Sequence, residues 1–503
     1  MSRRPWWIWI VPSVALFIVL VAQNAFLFST KMYEQGDSAA DSILIQQAMR
    51  FRLLVGHYSR EGFNHPGPAY LYIQAFGQWL AHDVLGIVPT PWNGQFLAVF
   101  AFNSAMAAIA VAIVYGWTNS LRAAAATFAV VCALISLRTL VPVSGWPPNM
   151  FVLTYLVFML SVASVASGHA RDLWVLALSG WLLIHGYAPF LFFVPLTVVV
   201  AAAIALWPDR RHPLVAIRAS ISARRRAWLP VAVISAVFLF PIVLNLILHW
   251  PGQFGKYIDY SKSGQAGGHT PQQVWSFFIW YWGPGPVTIT LLVACAVIAP
   301  FVTRRLPPGP LRRCLNRLLV VAAVTTLTFL LYAFTAADYL SNHYIGYFYW
   351  AVPFVPLLVI LVSLAQAFQQ RVATVLALLT AAGMLAVLSF VVVLRTDVHD
   401  NDTMLSQAVA SLAARSHGKE LVLDVEGPAW PQTLGFLLQA ERTGVRVCVT
   451  DSASIYLVVT EEFTCTSQEE ATGARYAIVD MNDPDGIVQF GTTQSSYVTV
   501  FGG

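Results

Sequence analysis

Two carboxylates near the start of the chain stand one helical turn apart. Asp37 and Asp41 lie in the segment GDSAADSILIQQAMRFRLL, residues 36–54, whose apolar positions follow the spacing of one helix face. Side chains four residues apart share a face, so Asp41 can support Asp37, hold a metal ion with it, or itself act as a base. Asp37 falls at the predicted N-cap, where the helix dipole favours an ionised carboxylate. From spacing alone, a plain helix cap without catalytic work explains Asp37 equally well.

A second set of residues carries positive charge or ring nitrogens that suit the binding of a phosphate group. Arginine holds phosphate through a two-point fork, whereas lysine offers a point charge. Each candidate has a structural alternative, since Arg60 can snorkel at a membrane interface and His65 can begin a helix. His185 and His343 fall at ends of apolar runs, where an ionisable group is a functional candidate but a satisfied structural histidine is common. The candidates are Arg60, His65, His185 and His343 and, more weakly, Lys256 and Lys262.

Membrane helices must position these residues. Of the 503 residues, 57% are hydrophobic and 11% are charged, and the mean hydropathy is +0.65. A soluble domain carries about a quarter charged residues. The sequence therefore predicts an integral membrane protein whose apolar runs of about 20 residues are helices. Eleven such runs are predicted, at approximately 6–28, 93–117, 121–139, 149–167, 173–186, 189–207, 229–249, 285–303, 318–336, 346–365 and 372–394.

The start of the chain and the distribution of basic residues predict the orientation. The basic stretch MSRRPWW precedes the first apolar run, and no small-residue cleavage pattern follows it, which indicates an uncleaved signal anchor. If 66–82 does not cross the membrane, the loops on the N-terminal side hold sixteen basic residues, including six in 208–228 and five in 304–317, against seven opposite. Cytoplasmic loops are enriched in Lys and Arg. We therefore expect a cytoplasmic N-terminus, a surface-lying segment 66–82 and an extracytoplasmic C-terminal region.

The first outer loop, about 29–92, is expected to hold two interfacial helices. The segment 36–54 is one, and 66–82, which Pro66 and Pro68 open, is the other. In the second, Tyr70, Gln74, Gln78 and His82 form a polar stripe beside an apolar face of Leu71, Tyr72, Ala75, Phe76 and Trp79. A long, ordered outer loop is usually functional.

A second outer loop is predicted at 250–284. Its middle is rich in Gly and Ser and should be mobile, whereas the aromatic residues 271–282 indicate a third interfacial helix. Such a loop can gate a substrate site or simply connect two spans. No GK[ST] follows its glycines, so it is not a P-loop.

The C-terminal region, 396–503, is expected to form a small α/β domain with a partly parallel sheet. Strands are predicted at 421–425, 445–449 and 475–479, and WPQTLGFLLQAERTG has helical spacing with a glycine stop. Cys448 and Cys465 lie in a compartment that permits a disulfide, but their spacing does not establish one. The Asp-x-Asp in MNDPDG favours a turn over a nucleotide-sugar site.

The layout resembles the GT-C membrane glycosyltransferases, especially the bacterial aminoarabinose transferase and protein mannosyltransferase branch. A first span, then YEQGD opening one interfacial helix and NHPGPAYLYIQAFGQWL forming a second, carry the resemblance, which covers 6–395 by layout and 33–83 by motif. It implies that Asp37 takes the proton of an acceptor hydroxyl while a polyprenyl phosphate leaves, with inversion at the sugar. The chain departs from the pattern in RTLVPVSGWPPN, which has Asn149 and no acid, and in NHYIGYFYW, where His343 replaces an arginine.

These inferences predict an all-α polytopic membrane domain at 1–395, GT-C-like with about eleven spans, and an extracytoplasmic α/β domain at 396–503. The expected function is glycosyl transfer from a polyprenyl-phosphate sugar to an envelope lipid, glycan or protein at the outer face of a bacterial cytoplasmic membrane. The alternatives are an envelope-lipid flippase or transporter, and a non-catalytic envelope-assembly protein that retains the fold. Membrane lipids are expected partners and nucleic acid is not. The sequence indicates no cofactor with certainty and leaves a divalent metal ion open.

Overall fold

The computed structural model shows a mostly helical protein with one small sheet, which confirms the predicted fold class. The residues that it describes are 4–206, 225–263, 267–367, 370–391, 402–450, 461–480, 485–490 and 498–502. Most of the basic loop 208–228, the centre of the Gly/Ser-rich loop and the first two residues of the Asp-x-Asp at 483–485 lie outside the described residues.

Among the helices of the described residues, those at the predicted apolar runs follow the predictions closely, whereas Gly252–Lys262, Asp402–Arg415 and Ser467–Thr472 were not predicted. In chain order they are α1 (Trp7–Gln23), α2 (Gly36–Met49), α3 (Ala69–Gly77), α4 (Pro91–Thr118), α5 (Leu121–Leu137), α6 (Pro147–Ala166), α7 (Leu173–Gly186), α8 (Phe190–Leu206), α9 (Arg225–Leu248), α10 (Gly252–Lys262), α11 (Pro271–Trp280), α12 (Pro286–Arg305), α13 (Pro310–Thr335), α14 (Phe354–Ala367), α15 (Gln370–Val391), α16 (Asp402–Arg415), α17 (Trp430–Thr443) and α18 (Ser467–Thr472). Shorter helical turns cover Ala25–Phe28, Gln78–Val84, Ala170–Asp172, His343–Ala351, Gly427–Ala429 and Glu461–Phe463.

Each of the eleven predicted spans coincides with a helix. Proline begins several of them because its fixed backbone angle suits the first turn and its missing N–H is not needed there. Six helical segments of the described chain are long and apolar enough to cross a membrane by length and composition: Pro91–Thr118, Pro147–Ala166, Arg226–Leu248, Pro286–Arg305, Pro310–Thr335 and His343–Ala367. Four shorter apolar helices are Trp7–Gln23, Leu121–Leu137, Phe190–Ile204 and Ala377–Leu388.

The chain divides into two compact units. The first comprises Met1–Gln23, Val99–Trp250 and Ile258–Val393. The second comprises Asn24–Ala98, Pro251–Tyr257 and Leu394–Gly503. The second unit thus joins the predicted first outer loop to the C-terminal region.

The first unit is a helical bundle around α6, which is buried along nearly its whole length. A buried ion pair connects the N-terminal end of the chain to the turn after α6, with Arg4 Nη1 at 2.8 Å from Asp172 Oδ1. The Ser164 hydroxyl donates to the same carboxylate at 2.5 Å. Burial of Asp172 is tolerated because these donors replace its hydration.

The second unit contains a five-stranded sheet of β1 (Leu421–Val425), β2 (Val447–Val449), β3 (Ala474–Val479), β4 (Val488–Phe490) and β5 (Val498–Gly502) in the order β2-β1-β3-β5-β4. The three predicted strands are the parallel ones, with Leu421 opposite both Val447 and Ala474. The helix α17 makes the crossover from β1 to β2 and ends at Gly444, whose φ of 73° suits glycine. A disulfide joins Cys448 to Cys465. The antiparallel strands β4 and β5 were not predicted from the sequence.

The helices of the first outer loop are packed more deeply than an interfacial helix requires. On α2, Ala39, Ala40 and Ile43 enter the core of the C-terminal sheet and helices. Further along the same helix, Leu44, Ile45 and Ala48 pack against Leu53, Leu71 and Ala75. The helix α2 is therefore a buried helix of the second unit.

The polar stripe that begins on α3 faces the protein interior, so the orientation expected of an interfacial helix is wrong for this stripe. Tyr70, Gln74 and Gln78 are buried, whereas Phe76 and Trp79 are exposed. The stripe faces inward because it finds polar partners there: the Gln95 amide donates to Gln78 Oε1 at 3.1 Å. Glycines 77 and 94 permit this approach, since a Cβ on Gly77 would lie 2.5 Å from the Gly94 carbonyl oxygen.

Candidate functional site

Asp37 lies in the first turn of α2, two residues after the N-cap. The helix begins at Gly36, and the extended residue Gln35 is the N-cap, so the predicted N-cap position of Asp37 is wrong. The helix dipole still favours the ionised carboxylate in the first turn. The Tyr58 hydroxyl donates a hydrogen bond to Asp37 Oδ1. Asp37 is half-buried, so its carboxylate combines a fixed orientation with partial access to solvent.

The segment that leads into Asp37 is held by α17. Glu34 is buried, and Arg442 contacts both of its carboxylate oxygens at 2.7 Å. The Ser42 hydroxyl donates to Glu34 Oε1 at 2.9 Å. A Cβ on Gly435 would lie 2.6 Å from the Glu34 carbonyl oxygen, so the helix can approach the backbone this closely only at a glycine. The C-terminal region therefore determines where α2 begins.

Asp41 is paired with a histidine that sequence analysis missed. His57 Nδ1 lies 2.7 Å from Asp41 Oδ1, and both side chains are buried. The Nε2 atom of His57 is buried and has no hydrogen-bond partner among the described residues. Of the three roles open to Asp41, support of the site fits this arrangement best, because its carboxylate is shielded and already engaged.

His65 lies at the end of the short segment 56–65, which also contains His57. It does not fit a cationic phosphate ligand. The His65 amide donates to the His57 carbonyl and the Gly56 amide donates to the His65 carbonyl, each at 2.8 Å. Desolvation of the half-buried ring and the nearby His57 lower the pKa of His65 to about 3. His65 is therefore neutral at physiological pH, and its predicted role as a positive phosphate ligand is not supported.

Arg60 and Lys256 both belong to the second unit. Arg60 Nε pairs with Glu61 Oε1 at 3.0 Å, and its side chain remains about one-third exposed. Lys256 is exposed on α10. The next residue of this helix, Tyr257, donates its hydroxyl to the Asn64 carbonyl at 2.6 Å. Both remain candidates for an anionic group.

His185 and His343 lie in the first unit. His185 is buried and its Nε2 lies 2.8 Å from the Phe238 carbonyl, so it fits the structural alternative and not a phosphate ligand. His343 is half-buried and stacks on Trp280 with 4.2 Å between ring centroids. Its ring is therefore part of an aromatic cluster.

The possible metal site receives no support from the donor set. The part of the chain that the structure describes contains no group of three or more His, Cys, Asp or Glu side chains placed to hold a metal ion. Asp37 already accepts a hydrogen bond from Tyr58, and Asp41 is paired with His57. We derive no catalytic step through a metal.

Comparison with known proteins identifies the fold. No family model and no curated protein matches the chain. Among the five solved chains that match is the crystal structure of ArnT from Cupriavidus metallidurans in the apo state. The TM-score is 0.53 at 13% sequence identity, and the alignment covers 98% of this chain and 97% of that chain. The protein thus has the fold of this ArnT structure, mostly helical with a small C-terminal sheet.

Proposed function

We propose that the protein is a membrane glycosyltransferase that moves a sugar from a polyprenyl-phosphate donor to a cell-envelope lipid, glycan or protein acceptor. The observation that carries the proposal is the ArnT-like fold over 98% of the chain. ArnT is a GT-C aminoarabinose transferase, and the motif around residues 33–83 resembles the same branch. The position of Asp37 in the first turn of α2 supports the assignment of this residue as the base.

The proposed reaction is a single displacement. An acceptor hydroxyl oxygen bonds to the anomeric carbon as the bond from that carbon to the phosphate oxygen breaks. The polyprenyl phosphate leaves with the electron pair, and the hydroxyl proton passes to the Asp37 carboxylate. Attack opposite the leaving group inverts the anomeric configuration.

The neighbours of Asp37 suit this task. The hydrogen bond from Tyr58 restricts the rotation of the Asp37 carboxylate, which places one oxygen for the acceptor proton. His57, paired with Asp41, packs the adjoining segment onto the same helix one turn later. We assign Asp37 as the catalytic residue and Tyr58, His57 and Asp41 as positioning residues.

The reaction is proposed at the outer face of a bacterial cytoplasmic membrane, with the N-terminus inside and the C-terminal region outside. The basic loops support this orientation. The exposed apolar side chains of the first outer loop support contact with membrane lipids. These are Phe51, Phe76, Trp79, Leu80, Val84, Leu85 and Ile87.

The test is transfer of radiolabelled sugar in membranes that contain the wild-type protein, Asp37→Asn, or the control Asp259→Asn. Asp259 is an exposed carboxylate on α10 and is not assigned to the site. A panel of polyprenyl-phosphate sugars is supplied, with extracted envelope lipids and glycans as acceptors. Removing a general base typically lowers the rate about 10²–10⁴-fold. We expect product from the wild type and the control and at least a hundredfold loss in Asp37→Asn at equal membrane abundance.

The other outcomes separate the alternatives. Equal product from wild type and Asp37→Asn would reject Asp37 while keeping the enzyme. Movement of an unmodified lipid across reconstituted vesicles, without a new glycosidic bond, would favour the flippase. Absence of both activities across the full panel would favour the assembly protein.

A further inference from the structure

Four rings in the first unit form a layered stack with one guanidinium group. His343 lies on Trp280, and Tyr347 lies on Trp350 with 3.9 Å between ring centroids and 20° between planes. Trp280 and Trp350 are 5.6 Å apart and 27° from parallel. The Arg138 Cζ atom lies 4.4 Å from the Trp350 centroid and 5.3 Å from the Trp280 centroid. We call these five residues the Arg138 stack.

Three separate segments supply the Arg138 stack. Arg138 is the C-cap of α5, where the backbone leaves the helical conformation. Trp280 is the last residue of α11, and the other three rings come from the helical turn His343–Ala351. The sequence predicts all three segments on the outer side. Their convergence therefore places a cation among aromatic rings at the outer ends of membrane helices.

The guanidinium in this stack is stabilised mainly by ring faces. No carboxylate among the described residues forms an ion pair with Arg138, and its guanidinium lies over the rings of Trp350 and Trp280. An arginine that stacks on a ring uses the face of its guanidinium and keeps its N–H donors in the plane, where they fit phosphate oxygens. The Trp350 indole N–H is buried and has no hydrogen-bond partner within the described part of the chain.

The rings also suit a sugar. Trp280, His343 and Tyr347 are half-buried, and Trp146 extends the surface by packing on Tyr344 with 5.1 Å between centroids. Aromatic faces are electron-rich and bind the positively polarised C–H groups of a pyranose or furanose ring. A cation for phosphate and flat faces for a sugar thus lie side by side.

We propose that the Arg138 stack binds the headgroup of a sugar phosphate ester, with the phosphate on Arg138 and the sugar ring on the aromatic faces. The proposal rests on the proposed function, in which such a headgroup is the donor. Arg138, at the end of α5, thus meets the helical turn His343–Ala351 in space.

The test is native mass spectrometry of the full-length protein in detergent with undecaprenyl phosphate, mannose 1-phosphate, glucose 1-phosphate and inorganic phosphate as separate probes. The variants are Arg138→Gln, Arg138→Lys and Trp280→Ala, and the control is Arg52→Gln, which removes an exposed charge outside the stack. Circular dichroism melting checks that each variant is folded. Arg138→Lys retains the charge and loses the planar fork, so a folded Arg138→Lys keeps the test decisive if Arg138→Gln unfolds.

We expect Arg138→Gln to weaken every phosphate probe at least tenfold, Arg138→Lys to give an intermediate loss and Arg52→Gln to match the wild type. Trp280→Ala should weaken the sugar phosphates and leave inorganic phosphate unchanged. Competition by undecaprenyl phosphate against the sugar phosphates would identify the ligand as a lipid headgroup. If undecaprenyl phosphate does not compete, the ligand is a free sugar phosphate. Wild-type affinity in folded Arg138→Lys and Arg138→Gln, or no phosphate binding to the wild type, would overturn the proposal.

Binding and transfer fail separately. Asp37→Asn should bind all probes like the wild type even though it does not transfer. Arg138-dependent binding without any transfer activity would leave this inference standing and reject the proposed function. If Arg138→Gln binds the probes like the wild type and still transfers sugar, the proposed function stands and this inference is rejected.

Discussion

Glu34 and Arg442 are 408 residues apart in the chain and form a buried, two-point ion pair. The pair connects the residues just before the candidate base to helix α17 of the C-terminal region. Glu34 is about 1% exposed, so its charge depends on Arg442 and Ser42 for compensation. The candidate site in the second unit is therefore built from both ends of the sequence.

Arg442→Gln should destabilise the second unit. Removing one partner of a buried ion pair typically costs about 3–5 kcal/mol, because the other charge remains buried without compensation. We expect a lower thermal midpoint and faster proteolysis of the C-terminal region. The double variant Glu34→Gln/Arg442→Gln should recover part of the loss, since it removes both charges. A double variant that equals the sum of the two single losses would contradict this coupling.

Tyr58→Phe should slow transfer without abolishing it. A hydrogen bond to a charged group contributes about 1.5–3 kcal/mol, and a loss near the lower limit corresponds to about tenfold in rate. Because Tyr58 orients Asp37 and does not itself accept the proton, the effect should fall on kcat more than on KM. Steady-state transfer assays measure both constants. Tyr339→Phe, an exposed tyrosine, is the control, and an unchanged kcat in Tyr58→Phe would reject the positioning role.

Gly435→Ala should disturb the start of α2. The added methyl group would lie 2.6 Å from the Glu34 carbonyl oxygen, so the backbone before Asp37 must shift. Overpacking of this kind typically costs about 1–3 kcal/mol. We expect reduced transfer together with a lower thermal midpoint. Gly383→Ala, at a helical glycine whose added methyl group would meet no atom within 4 Å, should lower neither.

His65 should make the fold sensitive to acid. Its pKa is lowered from 6.5 to about 3, so between these pH values the unfolded chain binds a proton that the folded chain does not. Stability therefore falls as the pH decreases below about 6.5. His65→Gln should flatten the dependence of the melting temperature on pH between 6.5 and 4.5. An identical pH profile in wild type and variant would show that the ring is solvated.

Removing the disulfide should lower the stability of the C-terminal region. Cys448 and Cys465 are 17 residues apart, and closing a loop of this size stabilises a fold by about 3 kcal/mol. Cys448→Ser/Cys465→Ser should lower resistance to protease. In intact cells, alkylation before and after reduction should reveal two additional thiols in the wild type only. Free thiols at both positions in cells would place this region in a reducing compartment and contradict the predicted orientation.

Local patterns predicted much of the architecture. Apolar runs located a helix at each of the eleven predicted spans, and six helical segments of the described chain are long and apolar enough to cross a membrane, because a membrane helix satisfies its backbone internally and needs only length and hydropathy. The strands at Leu421–Val425 and Ala474–Val479 were also recognised, because a buried strand needs a short run of β-branched and apolar side chains. The strand Val488–Phe490 was missed, since three residues carry little pattern without their partner.

The candidate site was predicted in part. Asp37 and Asp41 were identified from their spacing on α2 and from the resemblance, but not their partners Tyr58 and His57. Local sequence also predicted the polar stripe on α3 but not its direction, because amphipathicity does not state whether a polar face meets water or a polar interior.

The sequence by itself determined the helices of the apolar runs, the three parallel strands and the candidate carboxylates, because each depends on interactions within a few residues. Only the tertiary structure decided that Arg442 holds Glu34, that His57 takes Asp41, and that Arg138 lies among aromatic rings from two other segments. These contacts join residues far apart in the chain. The sequence around one side chain does not identify a distant partner. The contact forms only when packing brings the two side chains together and removes the water between them.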